Sequence, residues 1–294
     1  NIKRNKDSEL PACLSSFAYD VLNDMTINAT FGVIQGEKEF IINEHIDKLG
    51  DRDIVLMDRA YADYSLMSLL MSKKIDFVIR IKTKSTNKEI YSFLDSGKKS
   101  DIVMMKCTQG QKKFVEKNNL PKEIKVRLVR IELDTGETEV LVTTLFDETI
   151  EEMNYLYSKR WGIETYFNRL KNIFDLERFS GQSLNSIKQD FYSVVFLTNF
   201  ESLLVNEANE ELKEELKHRE YEYKVNRNIS YSAITNNILN LFLLDDFPES
   251  YILEKITIML KKTPIIIRKN RKYNRNPKTR SSLTYNLYRK RLSC

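Results

Sequence analysis

The sequence predicts an α/β protein: a mixed sheet with flanking helices, a β-rich insertion and a helical C-terminal part. Three observations indicate this class. Apolar runs of strand length alternate with amphipathic helical segments over residues 1–83. A second group of β-rich segments follows at 84–146, and the pattern beyond it is almost entirely helical. Hydrophobic residues make up 41% of the chain and charged residues 30%, as in an ordinary folded protein.

The first part of the chain contains the elements of the predicted sheet. Residues 23–24 join two strand-like runs as a hairpin. The continuous apolar run Ile54–Met57 is typical of a strand buried on both faces, and it ends at Asp58. In order, the predicted elements are strands at 14–22 and 25–34, an amphipathic helix over 36–50, a strand at 54–57, a helix over about 62–73 and a strand at 75–82.

The remainder divides into an insertion, a helical part and a basic end. In the insertion, two β-rich runs flank Asp134-Thr135-Gly136, which predicts a second hairpin. Helical periodicity follows over about 149–176, 186–216, 230–244 and 248–262. The predicted domains are the first part of the α/β fold at 1–83, the β-rich insertion at 84–146, the helix at about 149–176 with the C-terminal helices at 147–260, and a basic tail at 261–294.

The charge of the chain is unevenly distributed. The net charge is +5, yet residues 261–294 carry 12 Lys and Arg residues and no Asp or Glu. Tyrosines are interleaved with these cations, which suits binding to the phosphates of a nucleic acid. The alternative is a disordered tail that aids solubility.

The cysteine and histidine content excludes several classes of site. The three cysteines lie far apart without a CxxC motif, which argues against disulfide frameworks and thiolate zinc sites. We expect both histidines, His45 and His218, at the surface, without a His-based triad. No apolar run is long enough to span a bilayer. These features indicate a protein of the reducing cytosol.

The stretch YSKRWGIETYFNRLK, residues 157–171, is the strongest candidate for a functional site. On a single helix with about 100° per residue, one side next to an apolar stripe carries Tyr157, Arg160, Glu164 and Lys171. This row extends about 21 Å, which suits a phosphodiester backbone better than a small substrate. Arginine and lysine bind phosphates, and a carboxylate among them is a hard oxygen ligand for Mg²⁺. The alternative is a surface ion pair between Arg160 and Glu164.

Asp58 is a second candidate, because active sites form at the carboxyl ends of strands in open α/β sheets. With Glu164 it could hold a pair of metal ions that activates a water or hydroxyl against a phosphodiester. The alternative is that Asp58 is a helix N-cap or a turn residue before the helix at 62–73.

The spacing of Tyr157, Arg160, Glu164 and Lys171 resembles the Tyr-Arg-Glu-Lys signature of the insertion-sequence-four family of DDE transposases, and DIVLMDRAY resembles that family's strand ending in Asp-Arg-Gly-Tyr. The resemblance covers about residues 10–205. It implies a ribonuclease-H-like fold in which Asp58 and Glu164 are the second and third metal-binding carboxylates. Tyr157, Arg160 and Lys171 would bind phosphates at the transposon end. It also implies two Mg²⁺ or Mn²⁺ ions, a homodimer on transposon-end and target DNA, and the bacterial cytosol as the compartment, with no membrane association.

The first aspartate of that family, in an Asp-Gly-Ser/Thr context, has no counterpart in this sequence. We expect it upstream of Asn1, which predicts an amino-terminally truncated transposase; Asp7 and Asp20 are weaker candidates. The predicted function is metal-dependent cleavage and strand transfer of transposon-end DNA, with the activity of the fragment left open. The alternatives are a DNA-binding remnant without catalysis, and a nuclease or resolvase on the same fold.

Overall fold

The computed structural model describes residues 14–32, 36–81, 87–132, 138–181, 183–243 and 247–268. Within this part, the chain forms two compact units. The first unit contains the described residues up to Val21 and from Ile27 to Glu164, and the second contains Leu22–Thr26 and the described residues from Thr165 onward. Most of the predicted basic tail at 261–294 lies outside the described residues.

Two sheets are built from the strands of the first part of the chain. Strands β1 (Leu14–Asp20) and β2 (Met25–Gly32) form a two-stranded sheet, which confirms the first predicted hairpin. The larger sheet has the order β3-β4-β7-β6-β5. Its strands are β3 (Ile54–Met57), β4 (Asp76–Ile81), β5 (Ser100–Lys106), β6 (Glu123–Glu132) and β7 (Thr138–Thr143).

The larger sheet is mixed, as predicted. Strands β3 and β4 are parallel, and the remaining neighbours are antiparallel. The pairing of β6 with β7 confirms the second hairpin, although its turn at Asp134-Thr135-Gly136 lies outside the described residues. The strands predicted as an insertion therefore continue the same sheet as β3 and β4. The predicted domain limits at 83, 146 and 260 stay predictions.

The position of β3 differs from the expectation that both of its faces are buried. Among the described strands, β3 lies at one end of the sheet order and pairs on one side, with β4. Ile54 is 41% exposed, whereas Met57 at the other end of the strand is buried. An apolar run of four residues does not by itself show how completely each face of the strand is covered.

Three of the described helices of the first unit, α2, α3 and α5, begin at side-chain caps. Asp63 accepts a hydrogen bond from Ser65 N, and Asn87 does the same for the first turn of the helix after it. Thr149 and Glu152 form a capping box, which satisfies two backbone N–H groups at a helix start. The helices are α1 (Glu37–Phe40), α2 (Tyr64–Ser72), α3 (Lys88–Asp95), α4 (Lys112–Lys117) and α5 (Ile150–Lys159).

The helix predicted over 36–50 is less regular than expected. After α1, the chain forms a π turn at Ile41–His45 and a 3₁₀ turn at Ile46–Lys48. His45 and Ile46, at the junction of these turns, are both buried. The surface position expected for His45 is therefore wrong, because the regular 3.6-residue period does not hold here.

His45 is neutral and hydrogen-bonded in the folded unit. Asn28 Nδ2 lies 3.1 Å from His45 Nδ1, and Ser16 Oγ lies 2.9 Å from Nε2. Because the Asn28 amide donates to Nδ1, the ring proton sits on Nε2 and is donated to Ser16. Burial lowers the pKa of His45.

This lowered pKa predicts loss of stability in mild acid. Unfolded histidine takes up a proton near pH 6.5, whereas folded His45 takes it up at lower pH. The contribution of His45 is thus fully present above about pH 6.5 and is lost as the pH falls toward the folded pKa. Urea unfolding between about pH 7.5 and about pH 5 should show this decline, and His45→Gln should reduce it. His218 is exposed, so His218→Gln should leave the loss of stability at low pH unchanged. If His45→Gln and His218→Gln reduced this loss equally, it could not be attributed to His45.

The second unit is helical, as predicted. A core of apolar residues, among them Val205, Ala208, Ile234, Ile256 and Leu260, joins three of its helices. The elements are α6 (Trp161–Asn172, which begins in the first unit), α7 (Leu184–Glu215), α8 (Arg227–Phe242), α9 (Glu249–Lys261), and the paired strands β8 (Tyr223–Lys224) and β9 (Ile265–Ile266). Among the described residues, no helix combines the length and apolar character needed to cross a membrane.

A buried charge network, consisting of Asp24, Arg169, Glu201 and Arg227, lies within the second unit. Glu201 on α7 is 1% exposed and accepts a hydrogen bond from Ser230 Oγ. Glu201 Oε2 lies 3.4 Å from Arg227 Nη1 and 4.0 Å from Arg169 Nη1. Asp24 pairs with both arginines, with Arg169 Nη2 at 2.9 Å from Asp24 Oδ1. Two carboxylates thus face two guanidinium groups in a site largely shielded from water.

Candidate active site

Three charged side chains form a row across β3, β4 and β7, here called the Asp58–Arg80–Glu139 row. Asp58 directly follows β3, where Met57 is paired with Ile79, and Arg80 is the next residue of the parallel strand β4. Arg80 is paired with Leu141 on β7, and Glu139 lies two residues away on the same face. Arg80 Nη2 is 2.5 Å and Nε is 3.0 Å from Asp58 Oδ1, while Nη1 pairs with Glu139 Oε1.

The environment of Asp58 keeps it ionised. Partial burial opposes the charge, but hydrogen bonds from Arg59 N and Arg80 outweigh it and lower the pKa of Asp58. Asp58 also caps the 3₁₀ turn Arg59–Tyr61 by accepting a 2.6 Å hydrogen bond from Arg59 N. Asp58 is thus a turn residue, as the sequence alternative allowed, but it is not the cap of α2, which is Asp63. Its Oδ2 has no hydrogen bond from the described residues.

The segment 157–171 is not the single helix that the sequence predicts. Helix α5 ends at Lys159 and α6 begins at Trp161, with Arg160 between them. At the break, Arg160 N donates to Tyr157 O and Ile163 N donates to Arg160 O, each a three-residue turn rather than a four-residue one. A wheel drawn through this break misplaces Tyr157 relative to the residues that follow it.

Arg160 connects the two candidate carboxylates electrostatically. Its Nη1 lies 2.7 Å from Glu164 Oε1, and Glu164 is in the first turn of α6. Burial opposes the charge of Arg160, but the hydrogen bond to Glu164 and the negative charges of Glu164 and Asp58 raise its pKa. The ion pair predicted as an alternative is thus present, and its arginine also interacts with Asp58.

Tyr157 is buried rather than part of an exposed row. It is 9% exposed and belongs to an apolar cluster that includes Val78, Leu141 and Met153. Burial raises the pKa of Tyr157, partly offset by the nearby charges of Arg160 and Arg80. Its hydroxyl is buried and has no hydrogen-bond partner in the described part of the chain. A desolvated hydroxyl without a hydrogen bond lowers the stability of the fold, unless a further group forms that hydrogen bond.

Lys171, the last member of the predicted motif, lies in the second unit. Its Nζ is 2.9 Å from Glu177 Oε1, and both side chains are largely exposed. An exposed pair of this kind contributes little stability. The ammonium group can therefore exchange its partner for another anion at low cost.

The two candidate carboxylates, Asp58 and Glu164, each have one oxygen without a hydrogen bond from the described residues. All three hydrogen bonds to Asp58 end on Oδ1, and the one to Glu164 ends on Oε1. Carboxylate oxygens are the hard donors that Mg²⁺ and Mn²⁺ bind. The donor set therefore fits a divalent ion, although the described residues contain no cluster of three acidic, histidine or cysteine ligands.

Comparison with known proteins identifies the family. Residues 34–200, more than half of the chain, match the family model described as a transposase DDE domain. The chain belongs to the DDE transposase family. The predicted resemblance to insertion-sequence-four transposases and the ribonuclease-H-like class of fold are thereby confirmed. Domains of this family generally depend on divalent metal ions.

A curated relative points to the same type of DDE transposase. The chain is 25% identical over 193 residues to the transposase InsG for insertion sequence element IS4 of Escherichia coli (strain K12). This match covers 63% of the chain and 42% of the relative. The chain thus spans well under half of the length of the curated relative it matches.

Sequence reasoning missed two residues of the site, Arg80 and Glu139. One signal was available: Arg80 interrupts the otherwise apolar strand FVIRI, beside the strand that ends in Asp58. Glu139 carried no comparable signal, because its pairing with Arg80 spans 59 residues of sequence. Asp7 and Asp20 are the weaker candidates for the first aspartate of the family. Asp20 is the last residue of β1, and Asp7 lies outside the described residues.

Proposed function

We propose that this chain is the catalytic domain of a DNA transposase that cleaves transposon-end DNA and joins it to target DNA in the bacterial cytosol. Asp58 and Glu164 are the proposed metal ligands, and Tyr157, Arg160 and Lys171 the proposed DNA contacts. The observation that carries the proposal is the arrangement of the two carboxylates in one compact unit. Each is anchored by an arginine through one oxygen, and Arg160 interacts with both.

The chain's own residues have distinct parts in the proposed reaction. Asp58 and Glu164 would hold Mg²⁺ or Mn²⁺, two ions being expected. When bound, such ions stabilise charge on the scissile phosphate and activate the attacking water or hydroxyl. Arg160 orients Glu164 and places a planar cation beside the phosphate path. Lys171 adds a point charge further along α6.

The test is DNA cleavage by this chain and by the full reading frame that encodes it. Linear DNA carrying the ends of the element should be nicked at those ends with Mg²⁺ or Mn²⁺ and left intact with a chelator. Size-exclusion chromatography with end DNA should show two copies of the chain per complex, as the proposed homodimer requires. Cutting without preference for the ends would instead support a nuclease.

Binding without cleavage would support the DNA-binding remnant. The twelve cations of 261–294 would then carry the affinity. Deleting this segment should in that case remove most of the salt dependence of binding.

Replacing Tyr157 by Phe tests the proposed contact of its hydroxyl with a phosphate. The folded protein should be as stable or up to about 1 kcal/mol more stable, because a desolvated hydroxyl without a partner is removed. Affinity for end DNA should fall by roughly tenfold, the value of a hydrogen bond to a charged group. Urea unfolding and fluorescence anisotropy measure the two effects.

The matched control for this change is Tyr155→Phe on the same helix, where the side chain is 61% exposed. It should change neither quantity. Unchanged DNA affinity in Tyr157→Phe would limit Tyr157 to a packing role.

A further inference from the structure

The hydrogen bonds of Arg80 are distributed in an unusual way. An arginine beside a carboxylate commonly makes two parallel bonds, one to each oxygen. Here Nε and Nη2 of Arg80 both reach Oδ1 of Asp58, and Nη1 reaches Glu139. The guanidinium is a rigid planar fork, so the contact with Glu139 fixes the orientation of the other two donors. Oδ2 of Asp58 is left without a hydrogen bond from the described residues.

We infer that Glu139 and Arg80 are positioning residues for Asp58: Glu139 fixes the Arg80 guanidinium, and Arg80 holds Asp58 by Oδ1, which would leave Oδ2 to bind a metal ion. The inference rests on the proposed function, in which Asp58 is a metal ligand. Groups that orient metal ligands in this way typically change metal affinity by about 10- to 100-fold when removed.

The placement of Glu139 supports this role. Its position is set by the backbone pairing of β7 with β4 rather than by a loop, and its side chain is 17% exposed. Arg80 is 22% exposed, so water competes little with the pair. Leu141 and Val78, on the same face, are fully buried. A charged pair at such a place contributes little to stability compared with apolar residues of similar size. Its presence is explained by what it does to Asp58.

Charge gives a second reason for the presence of Glu139. Arg80 alone would neutralise Asp58 and weaken its attraction for a cation. With Glu139, the row has two carboxylates and one guanidinium, and it keeps one negative charge. Glu139 thus allows Arg80 to orient Asp58 without neutralising the site.

Mn²⁺ titrations of the whole chain test the inference, with free Mn²⁺ measured by electron paramagnetic resonance. Glu139→Gln and Arg80→Gln should each weaken Asp58-dependent Mn²⁺ binding by at least about tenfold. If Arg80 were merely a competing counterion, Arg80→Gln would instead strengthen Mn²⁺ binding, and that result would overturn the inference. Unchanged binding in both variants would overturn it as well.

Three further variants separate the causes. Glu132→Gln, at the exposed end of the neighbouring strand β6, is the matched control and should bind as the wild type does. Glu139→Asp keeps the negative charge on a shorter side chain, so it should bind Mn²⁺ more tightly than Glu139→Gln does. Equal Mn²⁺ affinities of these two variants would show that the charge at position 139 does not orient Arg80. Asp58→Asn should abolish this binding. Mn²⁺ binding that survives in Asp58→Asn, or is absent from the wild type, overturns the proposed function and the inference with it.

Thermal unfolding of each variant accompanies the titrations. If Glu139→Gln unfolds at room temperature, Glu139 is a structural residue and the inference fails for it. The comparison of Arg80→Lys with Arg80→Gln then decides the role of Arg80. Lys keeps the positive charge but lacks the planar fork. If Arg80 positions Asp58, both Arg80→Lys and Arg80→Gln should weaken Mn²⁺ binding. If Arg80 is only a counterion, neither variant should weaken it.

Discussion

Replacing Asp58 by Asn or Glu164 by Gln is expected to lower DNA cleavage by on the order of 10³-fold. Each change removes a negative charge from a proposed metal ligand while keeping the shape of the side chain. Metal ions contribute several kcal/mol to stabilising the transition state, and each 1.36 kcal/mol corresponds to about a tenfold change in rate. Single-turnover cleavage of end DNA in Mg²⁺ by the product of the full reading frame measures the effect.

The same variants should bind end DNA as well as the wild type does. The phosphate contacts are assigned to cations, so the salt dependence of binding should be unchanged. Exposed carboxylates provide matched controls: Asp51→Asn, before β3, and Glu151→Gln, on α5, should cleave normally. Full cleavage by either Asp58→Asn or Glu164→Gln would remove that residue from the proposed metal site.

The second large effect is expected in the helical unit, where Glu201→Gln should destabilise the fold by about 3–5 kcal/mol. The change removes the charge of one of the two carboxylates that pair with Arg169 and Arg227 in the second unit. Arg169 has an 8% exposed side chain, so solvent cannot replace the lost charge. Urea unfolding followed by far-ultraviolet circular dichroism gives the free energy of unfolding.

Glu210→Gln is the control for that measurement. Glu210 is on the same helix and pairs with Lys213, but both side chains are more than 70% exposed. Exposed pairs of this kind are worth about 0.5 kcal/mol. A loss in Glu201→Gln no larger than in Glu210→Gln would show that the buried network does not hold the unit together.

Sequence patterns predicted most elements of the fold because periodicity is a local property. The hairpin of β1 and β2 follows from strand-like runs around a turn at Asn23-Asp24, and α7 follows from a long stretch of helical period. The site was predicted through two separate local signals, Asp58 at a strand end and Glu164 in a spaced motif. Only the structure shows that Asp58 and Glu164 belong to the same compact unit.

The errors arose where a residue's environment depends on distant parts of the chain. The helical wheel assumed a continuous helix through Arg160, and the three-residue turns there move Tyr157 into an apolar cluster with residues of β4 and β7. The exposure of Ile54 on β3 depends on which parts of the chain pack against that strand. The contact of Arg80 with Glu139 depends on the register of β4 against β7. None of these features has a period that a local window could detect.

The distribution of charge in the site has a consequence for the order of addition. Asp58, Glu139 and Glu164 face Arg80 and Arg160, so these five side chains together carry one negative charge. A phosphodiester that approaches this negatively charged surface is repelled until bound divalent cations make the net charge of the surface positive. Protein incubated with Mg²⁺ before DNA should therefore begin cutting without a lag, whereas protein mixed with DNA first should show one.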